Sequence, residues 1–558
     1  MTEFDVIIAG GGPSGLILAC ELGRKGVSCL LLDMKPSTAF NPQANATQAR
    51  TMEHYRRLGF AQEIRALGLP SDHPTDIAYF TRLSRHELAR LSLPTAAQAV
   101  KKIKDLKGSW SAAELPHRVS QKFVETVLKK HAASHAFNDI RFSWKVLDFE
   151  IHADHVTVHA APCSKDQIGP TETFKCKYLV GADGPRSTIR HQLGISFTGE
   201  TGVKRNYMGG EMFAVYLSSS DLYKHIPHPR AWMYVTVNKQ RRCFLAAVDG
   251  HEQFAFHCAL HEGESAEHWG LDEVKTRLGE LMGCDVAFEV LSMQTWIAGH
   301  SLVAEYFSKE RVFLMGDAAH LFTPTGGLGY NTAVEDAVNL GWKLAHVVKG
   351  LAPAELLNSY ELERRPLALR NTTYARQFAD SVGLYPVSDE FEMDTKEAQV
   401  ERAQASVHFN AHVRLEFNIP GVTFGGRYDH SPIVVKDGTS APKDEANQYQ
   451  PSACPGGRPP HIWLEDGRSL YDVFGAEWTL LCNQSGEVDF SNWVAAAKKK
   501  GLELKCLHLP LKELQELYIQ PMALIRPDQM VGWRGESPTL ENMEDLFDQL
   551  LGKKPLSI

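Results

Sequence analysis

The chain has 558 residues, of which 43% are hydrophobic and 23% are charged, and its formal net charge is −8. This composition is typical of a globular protein of two to four domains and argues against wholesale disorder. The negative charge argues against a surface that binds nucleic acid or an anionic membrane. The opening residues MTEFDVIIAGGG lack a basic stretch, so we expect no signal peptide, and no apolar run approaches the length of a bilayer span.

The ten cysteines are scattered singly between Cys20 and Cys506, and no Cys-x-x-Cys occurs. In a protein of this size, that pattern indicates free thiols in a reducing compartment rather than a disulfide framework or a zinc site. We therefore predict a cytoplasmic protein with no metal site and with no nucleic-acid or membrane partner.

The first predicted elements form a βαβ unit. Residues 4–9 are an apolar run typical of a buried strand, residues 14–25 have helical character up to Gly26, and residues 27–33 predict a second strand. The sequence Gly-Gly-Gly-Pro-Ser-Gly before the helix fits G-x-G-x-x-G, whose glycines allow a tight turn and let the backbone approach a pyrophosphate. The unit predicts an ADP-containing dinucleotide held by Gly10, Gly12, Pro13, Ser14, Gly15 and Asp33.

Further along the chain, helices are predicted at 50–58 and 119–131 and a strand at 176–182. From about 197 to 300 the pattern changes to alternating, aromatic-rich stretches, which are typical of antiparallel strands with one covered face. Residues 311–350 return to strand, loop and long helix. The nucleotide-binding domain is therefore expected to be discontinuous in sequence.

The most informative segment follows the predicted strand 311–316, which runs into Asp317. A carboxylate at this point suits the ribityl hydroxyls of a flavin, and the small residues at 324–329 can present backbone amides to the O2/N1 edge of its ring. Thr332 and Glu335 have the spacing of a capping box that starts the next helix. The segment predicts FAD, with contacts from Gly316, Asp317, Pro324, Gly327, Leu328, Gly329, Tyr330 and Asn331.

Three motifs, GGGPSG, YLVGADGPRSTIR and GDAAHLFTPTGGLGYN, resemble in this order those of the class A flavoprotein monooxygenases, the group of para-hydroxybenzoate hydroxylase and phenol hydroxylase. The resemblance covers most of residues 1–380. It implies that Asp183 and its neighbours serve both FAD and a transient nicotinamide cofactor, and that Asp317 binds the ribityl chain. It also implies that Pro324 and residues 326–331 contact the isoalloxazine. Further FAD-binding candidates are Lys35, Gln43, Gln121 and Val146.

Residues 42–53 resemble the flavin-side loop and the following helix of this group. Many of its members have Arg where Gln43 stands, so Arg50 or helix amides are expected to meet the pyrophosphate charge. Phenol hydroxylases carry an acid at the position of Asn45. The missing acid argues against carboxylate-assisted deprotonation of the substrate by this loop.

The segment from His461 onward is similar to the thioredoxin-like C-terminal domain of phenol hydroxylases. Because it lacks Cys-x-x-Cys, we expect a structural or dimerisation element. The predicted fold class is α/β, with a discontinuous Rossmann-type FAD-binding domain, an antiparallel-sheet substrate domain, a helical region with a linker, and a thioredoxin-like domain. Their expected bounds are, in that order, 1–75 with 108–190 and 300–380, then 76–107 with 191–299, then 381–455, and finally 456–558.

These features predict an FAD-dependent monooxygenase that hydroxylates a small phenolic or aromatic substrate with NAD(P)H and O₂, through a flavin C4a-hydroperoxide. A Baeyer–Villiger oxygenase or epoxidase on the same fold is the main alternative. An NAD-dependent dehydrogenase and a non-catalytic flavin-binding module are the others. A homodimer is expected.

The candidates for catalysis are tyrosines, because a hydroxyl with a tuned pKa could help the substrate lose its phenolic proton. Tyr330 lies beside the glycines of the flavin turn, whereas Tyr207 and Tyr234 lie on the sheet expected to cover the active site. His320 follows Asp317 closely, but a local structural role is the simpler interpretation. His117 could face the flavin.

Overall fold

The computed structural model describes residues 2–205 and 207–553. The strands of its nucleotide-binding and central parts are β1 (Thr2–Ala9), β2 (Cys29–Asp33), β3 (Ile77–Phe80), β4 (Glu87–Leu91), β5 (Asn138–Phe142), β6 (Trp144–Ile151), β7 (Val156–Pro162), β8 (Glu172–Gly181), β9 (Phe197–Glu200), β10 (Gly210–Ser218), β11 (Met233–Thr236), β12 (Cys243–Ala247), β13 (Gln253–Ala259), β14 (Glu289–Ala298), β15 (Ser301–Ala304), β16 (Ser308–Lys309), β17 (Val312–Leu314) and β18 (His320–Leu321). The C-terminal strands are β19 (Trp478–Cys482), β20 (Leu504–His508), β21 (Met522–Ile525) and β22 (Val531–Gly535).

The α-helices are α1 (Pro13–Arg24), α2 (Ala49–Leu58), α3 (Ala61–Arg65), α4 (Ala96–Lys102), α5 (Gln121–Ser134), α6 (Thr188–Gln192), α7 (Leu271–Met282), α8 (Leu328–Val348), α9 (Ser359–Gly383), α10 (Lys396–Phe417), α11 (Pro420–Phe424), α12 (Ser491–Lys499), α13 (Lys512–Tyr518) and α14 (Leu540–Leu550). A 3₁₀ turn at Gly316–Ala318 connects β17 to β18. No helix in the described ranges pairs the length with the apolar character that crossing a lipid bilayer demands.

A parallel sheet with the order β17-β8-β1-β2-β5 contains the predicted βαβ unit, which is confirmed. The short strand β16 and the hairpin of β6 and β7 extend this sheet by antiparallel pairing. Gly181 of β8 pairs with both Ala9 of β1 and Leu314 of β17. Since parallel strands end at the same edge, the glycine-rich loop, the Asp183 loop and the Asp317 turn meet there.

A second, mostly antiparallel sheet has the order β14-β10-β13-β12-β11-β3-β4, in which β3 and β11 are parallel. This arrangement confirms the prediction of antiparallel strands between 197 and 300. Its buried side chains share one core with residues of α7, α9 and α10. Helix α10 therefore lies against the sheet and carries polar residues from its C-terminal end towards the nucleotide-binding part.

The C-terminal sheet has the order β20-β19-β21-β22, with β19 and β20 parallel and the other pairs antiparallel. Helices α12 and α14 pack on it around Trp478, Trp493 and Phe547, and Trp342 of α8 completes this core. The mixed α/β arrangement agrees with the predicted thioredoxin-like domain. The preceding segment, for which we expected a linker, is irregular in backbone but packed, with Tyr428 and Ala453 buried.

The start of α8 differs from the prediction. The helix begins at Leu328, and its N-cap is Gly327 with φ +65°, a left-handed conformation that suits glycine. The predicted capping box at Thr332 and Glu335 is wrong, because both residues lie inside the helix. The Thr332 hydroxyl instead accepts a hydrogen bond from the side chain of Asn371.

Candidate active site

The glycine-rich loop has the close approaches that its motif predicts. Gly10 has φ +114°, and a Cβ on it would lie 2.1 Å from the carbonyl oxygen of Ala182. A Cβ on Gly15 would lie 2.0 Å from the carbonyl oxygen of Gly10. At Gly12, by contrast, a Cβ would meet nothing within 4 Å. Packing therefore requires glycine at positions 10 and 15. Gly12 instead leaves an open approach to the N-terminal end of α1, where a pyrophosphate fits.

Asp33 is held in place at the end of β2. Its Oδ2 accepts a hydrogen bond of 2.6 Å from the backbone of Gly11, and its Oδ1 accepts one of 2.7 Å from the backbone of Lys35. The carboxylate therefore braces the glycine-rich loop and still has lone pairs for a ribose hydroxyl. The Lys35 side chain is exposed, so only its backbone takes part in this arrangement.

Asp183 and Asp317 follow the neighbouring strands β8 and β17 at the same edge of the sheet. Desolvation raises the pKa of both carboxyl groups. The Oδ1 atom of Asp183 is buried without a hydrogen-bond partner in the described chain, while its Oδ2 accepts a hydrogen bond of 3.2 Å from the backbone of Ile189. Asp317 is exposed, so its carboxylate is accessible to a ligand. Desolvation by the surrounding protein is nevertheless the main cause of its raised pKa, which indicates a partly enclosed position. Two carboxylates with free acceptor oxygens suit a ligand rich in hydroxyl groups.

A buried ion-pair network fixes the turn that carries Asp317. Asp336 of α8 accepts hydrogen bonds from the backbone of Gly316 at 3.2 Å and from Nε of Arg364 at 2.8 Å, and its Oδ2 lies 2.6 Å from Nε2 of His320. Burial alone would raise the pKa of Asp336, but His320 and Arg364 hold it below its ordinary value. His320 is thus a structural residue of the turn. Ser14 of α1 packs against Gly316 from the other side.

The loop before α8 is braced to the segment before α2. The backbone of Gln48 donates to Oδ1 of Asn331 at 2.8 Å, and its Nε2 donates to the carbonyl of Gly326 at 2.8 Å. Asn331 returns a hydrogen bond of 3.0 Å to the carbonyl of Ala46. These contacts keep the first amides of α8, from Leu328 onward, in a fixed orientation, and unpaired N–H groups at a helix start favour a negative group nearby. The sequence did not single out Gln48.

Outside this brace, Pro324 is exposed and Gly329 is half-buried, so both remain accessible on the surface of the loop.

Four other candidates lie around the nucleotide-binding sheet. Pro13 occupies the first turn of α1, and Val146 is buried on β6. Gln121 donates from Nε2 to Glu125 at 2.6 Å, while Gln43 is exposed.

Arg50 is not where the sequence suggested. Its guanidinium donates to Glu53 at 3.1 Å and to the backbone carbonyls of Asp528 and Gln529 at 3.3 and 3.0 Å. These partners turn the side chain towards the C-terminal domain and away from the pyrophosphate loop. These contacts do not support the prediction that Arg50 meets the pyrophosphate charge and favour its alternative, the helix amides.

The three candidate tyrosines have different surroundings. The hydroxyl of Tyr330 is hydrogen-bonded to that of Tyr55, and burial raises its pKa well above the ordinary value. Tyr234 is a core residue, because its hydroxyl accepts from the backbone of Ala231 at 2.8 Å and burial raises its pKa to about 12. These surroundings give no support to a catalytic role for Tyr234, which stays a prediction. Tyr207 is buried, and its hydroxyl has no partner in the described chain.

His117 does not face the flavin loop with its ring. Its backbone pairs with that of Thr47, and its Nε2 lies 3.4 Å from the carbonyl of Leu67. Burial lowers the pKa of His117 to about 4, so the ring is neutral at pH 7. The sequence did not identify the next residue, Arg118, or Glu416 of α10, whose Oε1 accepts from the backbone of Gly326 at 3.0 Å.

An ADP-type glycine loop, two carboxylates with free oxygens and a fixed helix start at one sheet edge define a flavin-dinucleotide site. The comparisons agree with this geometry. The family described as "FAD binding domain" matches residues 3–375, and the family described as "Aromatic-ring hydroxylase, C-terminal" matches residues 452–554.

The chain is 28% identical to phenol 2-monooxygenase of Pseudomonas sp. (strain EST1001), covering 99% of this chain and 93% of the relative. It is 30% identical to aklavinone 12-hydroxylase RdmE of Streptomyces purpurascens, covering 98% and 97%. Among solved structures, RebC soaked with chromopyrrolic acid and bound to 7-carboxy-K252c superposes with a TM-score of 0.87 at 30% identity, covering 99% of this chain and 100% of that one.

The chain belongs to the FAD-dependent aromatic-ring hydroxylases, a family of flavoprotein monooxygenases. It is an enzyme that hydroxylates aromatic substrates with FAD as its cofactor, and NAD(P)H is the reductant typical of this family. The predicted fold, cofactor and reaction class are confirmed. The dehydrogenase and the non-catalytic flavin module are set aside by this membership.

Proposed function

We propose that FAD lies along the sheet edge, with its pyrophosphate at the start of α1, its ribityl chain at Asp317 and its ring beside residues 326–331. One observation supports this placement: Asp336 of α8 holds the turn that carries the Asp317 carboxylate, and Asn331 in the first turn of the same helix is braced by Gln48. When bound there, FAD would take a hydride from NAD(P)H and activate O₂ for insertion into an aromatic ring.

The residues of the chain have three tasks in this proposal. Asp317 accepts hydrogen bonds from the ribityl hydroxyls, and the first amides of α8 stabilise negative charge at the ring edge. The second sheet and α10 cover the substrate side and exclude water. Tyr207, with its unpartnered buried hydroxyl, is the candidate among the three tyrosines for a polar contact with the substrate.

The substrate is proposed to be a hydroxylated aromatic compound that lies between residues 326–331 and the second sheet. Relatives are named for phenol, a single ring, and for aklavinone, while RebC is described with bound 7-carboxy-K252c. A panel of phenols and phenolic acids, from one ring to several, would test this. Compounds that fit should raise NAD(P)H oxidation and yield product that contains one oxygen atom from O₂.

Asp317→Ala tests the cofactor site. We expect largely flavin-free protein, because the ribityl hydroxyls lose their only carboxylate on this turn. The flavin-to-protein ratio of the purified variant, measured by visible absorbance, is the readout. Glu305→Ala removes an exposed acid twelve residues before Asp317 and should retain normal flavin content. Normal flavin content in Asp317→Ala would refute the placement.

We also propose that the chain has four parts, of which the FAD-binding part comprises residues 1–75, 108–190 and 300–380. A cytoplasmic location is supported by ten free cysteines, seven of which are buried. A homodimer is supported by Val400 and Val407, which are 58% and 74% exposed and seven residues apart on α10. Light scattering of the holoenzyme tests the dimer, and a monomer at micromolar concentration would contradict it.

A further inference from the structure

Arg118 is a buried cation with no acidic partner. The residue is only 6% exposed, and its Nη1 is buried without a hydrogen-bond acceptor in the described chain. Within residues 2–205 and 207–553, no hydrogen bond or ion pair to its guanidinium is formed. Its contacts are aromatic, with the guanidinium carbon 4.4 Å from the ring centre of Trp232 and 5.9 Å from that of Phe417.

The charge of Arg118 is not neutralised by its nearest acid. Burial lowers the pKa of Arg118 to about 10, and Glu416 opposes that shift from a distance, so the guanidinium remains charged at pH 7. Glu416 is already engaged, because its Oε1 accepts a hydrogen bond from the backbone of Gly326. Its Oε2 lies 3.0 Å from Nε2 of His412, but this nitrogen forms no hydrogen bond in the described chain. A buried guanidinium without hydrogen bonds is costly, and an acceptor supplied by a ligand would relieve that cost.

Other unpartnered polar atoms surround the same acid. The hydroxyls of Tyr79 and Tyr207 are buried without partners, and burial, assisted by Glu416, raises the pKa of both far above the ordinary value. His412 lies edge-on to Tyr79 at 5.7 Å, and its Nδ1 is also unpartnered. Donors and aromatic faces thus occur together between the second sheet and α10.

This group, which we call the Arg118 cluster (Arg118, Tyr79, Tyr207, His412 and Glu416), adjoins the proposed flavin loop. Glu416 holds the backbone of Gly326 directly. His117, the residue before Arg118, forms backbone hydrogen bonds with Thr47. The next residue, Gln48, donates a hydrogen bond to the carbonyl of Gly326. A molecule that meets the guanidinium therefore also lies beside residues 326–331.

We propose that Arg118 recognises an anionic oxygen group, a carboxylate or an ionised hydroxyl, on the aromatic substrate. The inference rests on the proposed function, since it places the substrate beside the same loop. A guanidinium forms paired hydrogen bonds with an acidic group, and Trp232 and Phe417 offer faces on which the planar assembly of guanidinium and aromatic acid can pack. The hydroxyls of Tyr79 and Tyr207 can donate hydrogen bonds to the same anionic group of the substrate.

The test measures ligand binding to the oxidised holoenzyme through the change in flavin absorbance. Matched pairs separate charge from shape: salicylate with salicylamide, 1-hydroxy-2-naphthoate with its amide, and 4-nitrophenol with 4-nitroanisole. The first two pairs probe a carboxylate, and the third probes an ionised hydroxyl. We expect the wild type to prefer the anion in at least one type of pair by about tenfold or more.

Arg118→Gln should remove that preference while changing the affinity for the neutral members by less than about threefold, and Arg118→Lys should retain part of it. The matched control is Arg242→Gln, which removes a buried arginine directly before β12 whose guanidinium already donates to the carbonyls of Val382 and Tyr385. This control should keep the preference for anions. Equal binding of anion and neutral partner by the wild type, or equal weakening of both in Arg118→Gln, would overturn the proposal.

Failure of the proposed function has a different signature. If substrate does not bind beside the flavin, no probe perturbs the flavin of the wild type. The thermal midpoint of the holoenzyme then decides about Arg118. Removal of an unpartnered buried charge should leave the midpoint of Arg118→Gln unchanged or higher than that of the wild type, and a clear fall would show that the guanidinium has structural partners and would overturn the inference.

Discussion

Two buried charged regions of this protein differ in one respect. Between α8, α9 and the C-terminal domain, Glu363 lies 2.6 Å from Nζ of Lys343 and 2.6 Å from Nη1 of Arg526, and Arg526 also reaches Asp528 at 2.6 Å. Asn339 and Ser431 donate further hydrogen bonds to Glu363. Every charge of this inter-domain network has a partner.

The Arg118 cluster is also buried, yet Nη1 of Arg118, the hydroxyls of Tyr79 and Tyr207 and both ring nitrogens of His412 have no hydrogen-bond partner in the described chain. Burial of charge alone therefore does not identify a functional site. A satisfied network connects parts of the fold, whereas an unsatisfied one is prepared for a ligand. The following predictions test this distinction.

The largest effect is expected from Glu363→Ala. Removing this carboxylate leaves Lys343 and Arg526 with unbalanced buried charge, so stability should fall by about 3–5 kcal/mol. Urea unfolding followed by tryptophan fluorescence measures the change. The control Glu63→Ala removes a half-buried acid at the surface that pairs with Lys130 and His131, and should cost less than about 1 kcal/mol. Similar losses in both variants would show that the inter-domain network has no special role.

The same network should depend on pH. Burial alone would raise the pKa of Glu363, but Arg526 and Lys343 hold it far below the ordinary value of 4.5. A carboxyl with a lowered folded-state pKa contributes stability that is fully present above about 4.5 and is lost as the pH falls below it. The wild type should therefore lose stability below pH 4.5 more steeply than Glu363→Gln. Parallel profiles for the two proteins would contradict this.

The smallest effects compare tyrosine hydroxyls in the two environments. Tyr360 donates to the carbonyl of Leu314 at 2.8 Å, and Tyr360→Phe should cost about 1–2 kcal/mol because that carbonyl loses its partner. Tyr79→Phe removes a hydroxyl without a partner and should change stability by less than about 0.5 kcal/mol or raise it. Thermal unfolding of the flavin-loaded proteins measures both. Equal losses would mean that the Tyr79 hydroxyl is bonded within the fold.

The parts of the molecule that the sequence predicted well are encoded in short, contiguous motifs. The glycine loop, Asp33 and the Asp317 turn depend on residues next to one another in the chain, so strand, turn and helix follow from local patterns. The start of α8 did not follow from its local pattern, which placed a cap at Thr332. The helix begins earlier, because Gly327 adopts a left-handed conformation and Gln48 holds the carbonyl of Gly326.

Residues whose partners are distant in sequence could not be assigned in this way. Arg50 finds carbonyl partners 478 and 479 residues further along, and these decide its direction. Tyr234 and Tyr207 looked equivalent, and only the packing of the sheet places one hydroxyl on a backbone amide and leaves the other free. The Arg118 cluster combines β3, α10 and the residues before α5, a combination that no spacing in the sequence indicates.

The most direct test of the account is a crystal structure of the flavin-loaded enzyme with a bound aromatic acid. The account predicts density for the ribityl chain at Asp317, for the isoalloxazine beside residues 326–331, and for the acidic group at the guanidinium of Arg118. Density for the flavin away from the turn after β17 would contradict the central claim. Density for the acid at another residue would leave the flavin site intact and refute the role of Arg118.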